Sequence, residues 1–139
     1  MTLIKKYIQE NPKLNKVIVN QFFGLGDILF IEPIYRYFTD LGLTVIAPIQ
    51  DQYIWIKDHI PYVDFRKMSE FNFDYEKFNF DMIDEETLYV PLRFSDQIYR
   101  KLPPHDCSAS RYWMTDKYRV LDLDPKLWES IALDRKSVV

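Results

Sequence analysis

The chain has 139 residues, 47% hydrophobic and 17% aromatic, with a net charge of −3. That length suits one domain with a sizeable core rather than two, and the acidic balance excludes the broad basic face of a nucleic-acid binder. A single cysteine, Cys107, excludes an internal disulfide and points to a reducing compartment. The opening stretch MTLIKKYIQENPKLNK lacks the apolar core of a signal peptide. Asp27, Glu32 and Arg36 interrupt the longest apolar run, so no segment approaches the roughly 20 apolar residues of a membrane span. A soluble cytoplasmic protein without a transmembrane segment is expected.

TLIKKYIQE, at 2–10, predicts a short amphipathic helix with Leu3, Ile4, Tyr7 and Ile8 on one side. Asn11-Pro12 ends it. KVIVNQ, at 16–21, is a compact β-branched run and predicts a first buried strand. The Gly-Leu-Gly-Asp loop at 24–27 then holds two of the chain's three glycines. Over 28–41, Ile28, Ile31, Ile34, Tyr35, Phe38 and Leu41 recur at three-and-four spacing, which predicts a helix. Gly42 stands at its C′ position. Pro33 bends this helix if it starts near Asp27 and is a first-turn residue if it starts near Glu32. Both starts fit the sequence.

LTVIAP, at 43–48, predicts a second strand. Strand, glycine turn, helix and strand make a βαβ unit with a parallel sheet and a right-handed crossover. A second helix is expected at 51–60 and a short third strand at 62–66. FNFD occurs at 71–74 and again at 78–81, and its alternating aromatics suit short strands or an aromatic flap. A further strand is expected at 87–92, and helices at 111–118 and 125–133. Asp124-Pro125 starts the last of these as cap and first helical residue. The order predicts an α/β fold: one Rossmann-like three-layer domain over 1–139, with a mostly parallel sheet and helices on both faces.

The loop at 24–27 leaves the first strand at the carboxyl edge of that sheet, where open α/β folds bind ligands. Gly24 and Gly26 permit close approach of a ligand and are candidate substrate-binding residues. A dinucleotide fingerprint needs Gly or Ala where Leu29 stands, and an acidic residue about 20 positions on; Asp51 is only loosely placed for it. No phosphate-cradling GxxxxGK[ST] is present, so no resident cofactor is expected. Two His and one Cys without ligand spacing predict no metal site.

Asp27 has two readings. It is a helix N-cap, accepting backbone N–H bonds, or a general base at the mouth of a cleft, a role those same bonds would weaken. Arg93, Arg100, Lys101, His105 and Arg111 follow the strand expected at 87–92. Among them Arg93 and Arg111 are candidates for holding an anionic acceptor; the alternative is a solvated loop balanced by Asp96 and Asp106. His105 and Cys107, beside Pro103-Pro104, read as a proline turn with an ordinary cysteine rather than a nucleophile pair. The aromatic stretch at 71–82 is core, an interface, or a flap stacking on a sugar.

GLGDILFIEPIYRYF followed by LGLTVIAPI resembles the N-terminal segment of the heptosyltransferase-like (family 9) glycosyltransferases, which have the GT-B architecture. Gly26-Asp27, Ile28-Leu29, Glu32-Pro33, Tyr35 and the strand at 43–48 carry the likeness, within residues 16–50. There are two departures. Glu32 stands where Thr is usual before the proline, and Gln21-Phe22-Phe23 replaces a basic residue before the loop.

The resemblance implies that Asp27 is the general base on an acceptor hydroxyl. The reaction is an inverting, metal-free transfer from a nucleotide-sugar co-substrate to a carbohydrate or lipid-linked acceptor. It also implies two Rossmann-like domains, the first holding the acceptor. This chain has room for the first alone, so a C-terminal nucleotide-sugar domain or a partner chain is expected to complete the enzyme. The residues alone leave two other readings open: a stand-alone Rossmann-like nucleotide- or phosphate-binding protein, and a non-catalytic interaction module.

Overall fold

A computed structural model of the chain describes residues 2–21, 24–72, 79–92 and 117–132. Helix α1 (Leu3–Glu10) is capped by Thr2, whose hydroxyl accepts from the Lys5 N–H at 3.3 Å. Strand β1 (Lys16–Asn20) follows. The predicted helix at 28–41 is two helices, α2 (Leu25–Phe30) and α3 (Glu32–Asp40). The break falls at Ile31, with φ −93° and ψ 9°. Pro33 lies in the first turn of α3, where its missing N–H is no loss. The three-and-four apolar spacing runs through the break, so the pattern alone cannot reveal it.

At the other end of α3, Gly42 adopts φ +86°. The Gly42 N–H donates to Thr39 O at 2.9 Å and the Leu43 N–H to Phe38 O at 3.1 Å. This is the paired pattern of a Schellman end, with glycine at C′. Strand β2 (Thr44–Ile49), a 3₁₀ helix (Asp51–Asp58) and strand β3 (Val63–Lys67) follow, then a short 3₁₀ turn (Met68–Glu70). Strand β4 (Asp81–Met82) and strand β5 (Thr87–Pro91) precede residues 117–119, which are helical, and a 3₁₀ helix (Pro125–Ser130).

The sheet order is β3-β2-β1-β5-β4. β1 pairs in parallel with β2 and β5, and β2 with β3. β4 runs antiparallel to β5. The fold is α/β, a mostly parallel five-stranded sheet flanked by helices, Rossmann-like in arrangement. Val17, Val19, Val45 and Ala47 on one sheet face pack with Ile28, Ile34, Tyr35 and Phe38 from the helices. Ile18, Ile46 and Tyr89 on the opposite face are also buried, with Phe71 against them. Strands buried on both faces explain why β1 and β2 read as continuous apolar runs rather than alternating ones.

Two expected α-helices are 3₁₀ helices. In Asp51–Asp58 the apolar residues Tyr53 to Ile56 are consecutive, so no single α-helical stripe forms. Only Ile56 is buried there, and Trp55 is 46% exposed. In Pro125–Ser130 the expected start is present: the Asp124 carboxylate accepts from the Lys126 N–H at 3.0 Å. The basic segment with Arg93, Arg100, Lys101, His105, Cys107 and Arg111 lies outside the described residues, as does the middle of the aromatic stretch, 73–78. Among the described residues, no helix is long and apolar enough to cross a membrane.

Candidate functional site

Strand order turns back at β1. Its successor β2 lies on one side and β5 on the other. Such a switch point opens a crevice beyond the carboxyl ends of the strands. Here those ends are Asn20-Gln21 after β1 and Pro91-Leu92 after β5, with α2 starting just beyond.

Gly24 is the N-cap of α2 and has φ +76°. That left-handed value turns the chain early, so Leu25 is already helical. Asp27 therefore lies inside the first turn and is not the N-cap, which corrects the capping reading. Its side chain is half-buried. A Cβ at Gly24 would meet Asp27 Oδ2 at 3.4 Å, an ordinary contact distance, so the positive φ rather than crowding is what calls for glycine there. The Gly24 N–H reaches Gln50 Oε1, just past β2, at 3.4 Å. Gly26 differs: it is exposed, and a Cβ there would meet nothing within 4 Å. A side chain at Gly26 would therefore have room.

Polar side chains that sequence reasoning missed gather at the carboxyl ends of β1 and β5. Asn20 donates from its side-chain amide to the Tyr89 hydroxyl at 2.7 Å, bridging β1 and β5 in a buried setting. Lys117 is fully buried. Its ammonium donates to Gln21 Oε1, and to Leu92 O at 3.0 Å. Burial pulls its pKa down to about 8, and the negative charge of Asp27 acts against that fall. The one sequence signal for Lys117 is its place at helical spacing from Trp113, Val120 and Leu121, a cation in an apolar stripe.

A second buried carboxylate, Glu32, is fully occupied with structure. It accepts from Arg36 Nε at 2.7 Å, from the Ala132 N–H at 2.7 Å, and from the Tyr62 hydroxyl. Burial, and then the hydrogen bond to Glu32, push the Tyr62 hydroxyl pKa up. Asp51, considered above for a ribose, instead accepts from the Ser69 N–H at 3.2 Å and from the Ser69 hydroxyl. Those bonds hold its carboxyl below the usual range. An open hollow of about 550 Å³ lined by Thr44, Lys57, Asp58 and Tyr62 reaches the amino end of β2, the end of the strand opposite the crevice.

The structure thus brings together Gly24, Gly26 and Asp27 at the start of α2, and joins Lys117 to Gln21 at the end of β1. Arg93 and Arg111 fall outside the described residues. Comparison of the chain with family models, curated proteins and solved structures returns no match.

Proposed function

We propose that this chain is the acceptor-side half of an inverting GT-B-type glycosyltransferase. The observation that carries the reading is Asp27: a half-buried carboxylate in the first turn of α2, at the switch point of a parallel sheet, with open space at the neighbouring Gly26. The likeness of the segment GLGDILFIEPIYRYF to the heptosyltransferase-like enzymes supports it.

In this reading Asp27 removes the proton of an acceptor hydroxyl. The freed oxygen attacks the anomeric carbon of the donor sugar from the face opposite the leaving group. The bond from that carbon to the phosphate oxygen breaks, the nucleoside diphosphate departs with the electron pair, and the configuration inverts. The acceptor is a carbohydrate or a lipid-linked head group, whose anionic groups Arg93 and Arg111 contact. A second domain or a partner chain supplies the nucleotide-sugar site, and the reaction needs no resident metal or cofactor. The competing reading, nucleotide or phosphate binding, gains from the cation at Lys117 but must place an anion beside the Asp27 carboxylate, which repels it.

The test offers the complete gene product a panel of UDP-, GDP- and ADP-activated sugars with mono- and oligosaccharide acceptors. Nucleoside diphosphate release and the anomeric configuration of the product are read by NMR. Transfer with inversion is expected, and none at enzymic rates from these 139 residues alone. Retention, or tight nucleotide binding without turnover, contradicts the reading.

A further inference from the structure

The sheet has two edges, and they are finished differently. At one, β4 has only two residues, and past it β5 carries Pro91, which has no N–H to offer a further strand. At the other, β3 pairs with β2 through five consecutive residues, Val45↔Val63 to Ile49↔Lys67, with neither a bulge nor a proline. Among the described residues, no strand pairs with its outer side. Two open hollows of about 550 and 370 Å³ lie beside the strand, with Phe65 lining both. A full-length, unbroken edge is a template for another chain unless its side chains guard it.

The guards on β3 are charges, and their order decides which strand they admit. Alternation puts Val63 and Phe65 into the core and leaves Asp64 and Arg66 exposed on the opposite face. These two have opposite sign and stand symmetrically about Phe65. In an antiparallel pair of two β3 strands centred on Phe65, Asp64 of each copy lies directly opposite Arg66 of the other. One two-fold axis therefore makes both ion pairs at once. The neighbouring registers, centred on Asp64 or on Arg66, set like charges against each other and are destabilised. Within one chain Asp64 and Arg66 already pair at 2.8 Å. Both side chains are exposed, so exchanging that bond for one across the two-fold costs little.

We propose that β3 is a self-association edge: a second copy of this chain pairs with it in antiparallel register about Phe65, joining the two five-stranded sheets into one continuous sheet, with Asp64 and Arg66 as reciprocal ion pairs. The pairing does not rest on the glycosyl-transfer reading. It uses neither Asp27 nor the switch point, since β2 separates β3 from β1.

The decisive experiment is sedimentation equilibrium of the chain over a dilution series, wild type against Asp64→Arg and Arg66→Asp. On concentration the wild type is expected to approach twice its single-chain mass of 16.8 kDa. Each variant sets like charges across the register and is expected to stay at the single-chain mass. Mixed in equal amounts, the two variants become complementary again, because one copy then carries two cations at these positions and the other two anions. The doubled mass is expected to return in the mixture. Both positions are exposed, and circular dichroism with the thermal midpoint checks that each variant is folded. A wild type that keeps the single-chain mass up to its solubility limit overturns the proposal. So does a dimer that both variants retain, which would place the interface on another face. A mixture of the two folded variants that fails to pair overturns it as well.

Discussion

Gly24 and Gly26 flank the first residue of α2 and are glycine for different reasons. At Gly24 the backbone is left-handed, a conformation L side chains rarely adopt, although a Cβ there would meet only ordinary contacts. At Gly26 a side chain has room. Gly24→Ala is expected to lose about 1–2 kcal/mol, the left-handed penalty of an L-residue. Gly26→Ala is expected to be neutral or to gain up to about 1 kcal/mol of helix propensity. Urea unfolding of both variants checks this, and an equal loss at the two positions contradicts it. If the acceptor enters past Gly26, the alanine there weakens acceptor binding without harming the fold. The same scale holds a contrasting case at Asp122, with φ 59°. The Asp122 N–H donates to Arg119 O at 2.9 Å and the Leu123 N–H to Tyr118 O at 3.0 Å. This is a second Schellman end, made without glycine. Asp122→Gly should therefore raise stability by roughly 1 kcal/mol in the same assay, and a loss refutes the assignment.

At the scale of elements, the Glu32 carboxylate joins three of them. It ties the start of α3 to Tyr62 before β3 and to Ala132 after the last 3₁₀ helix. Arg36 adds bonds to the Ser130 carbonyl and, at 3.2 Å, to its hydroxyl. Phe30 stacks on Trp128 with ring centres 5.8 Å apart. Glu32→Ala strands Arg36 and two further donors, a loss of about 3–5 kcal/mol. Tyr62→Phe removes one donor and costs about 1–2 kcal/mol. Hydrogen exchange at the Ala132 amide should quicken in the first variant far more than in the second; unchanged exchange in Glu32→Ala rules the network out as the clasp on this segment.

Much at this scale is legible from local chemistry. β1 and β2 show as apolar β-branched runs, Gly42 as a helix end, and Asp124-Pro125 as a helix start, because each is decided by its own few residues. The division of α2 from α3 is not legible, since Pro33 fits two starts and the apolar spacing bridges Ile31. The conversion of Asp51–Asp58 to a 3₁₀ helix depends on which consecutive apolar residue the sheet accepts. It accepts Ile56.

For the whole molecule, the titrating groups set a pH window of stability. Lys117 has a lower pKa folded, about 8, than its ordinary value of 10.5. Below pH 8 folding bears the full penalty of a buried charge, on the order of 3 kcal/mol. That penalty is relieved as pH rises from 8 to 10.5. Burial raises the hydroxyl pKa of Tyr35, Tyr62 and Tyr118, so their contribution is complete below the ordinary tyrosine value of 10.0 and is lost above it. Asp51 and Asp84, held low chiefly by hydrogen bonds from Ser69 and from the Glu86 N–H, lose their contribution as pH falls through the carboxylate range. The thermal midpoint is expected to climb from about pH 7 to about 9.5 and then to drop. In Lys117→Met the climb should vanish. A flat wild-type profile over that range contradicts the buried lysine.

The candidate site divides along the same line of legibility. Gly24 and Asp27 show in the sequence because a glycine turn after a strand is a local signature. Lys117 and Gln21 do not, because they meet only after β5 is laid beside β1, across 96 residues of chain. The central claim is that Asp27 takes the acceptor proton. The most direct measurement is the initial rate of nucleoside diphosphate release by the complete gene product, wild type against Asp27→Asn, at saturating acceptor and matched thermal stability. The account predicts a fall of about 10²–10⁴-fold, the usual worth of a positioned general base. A variant that keeps its rate within a few-fold contradicts it.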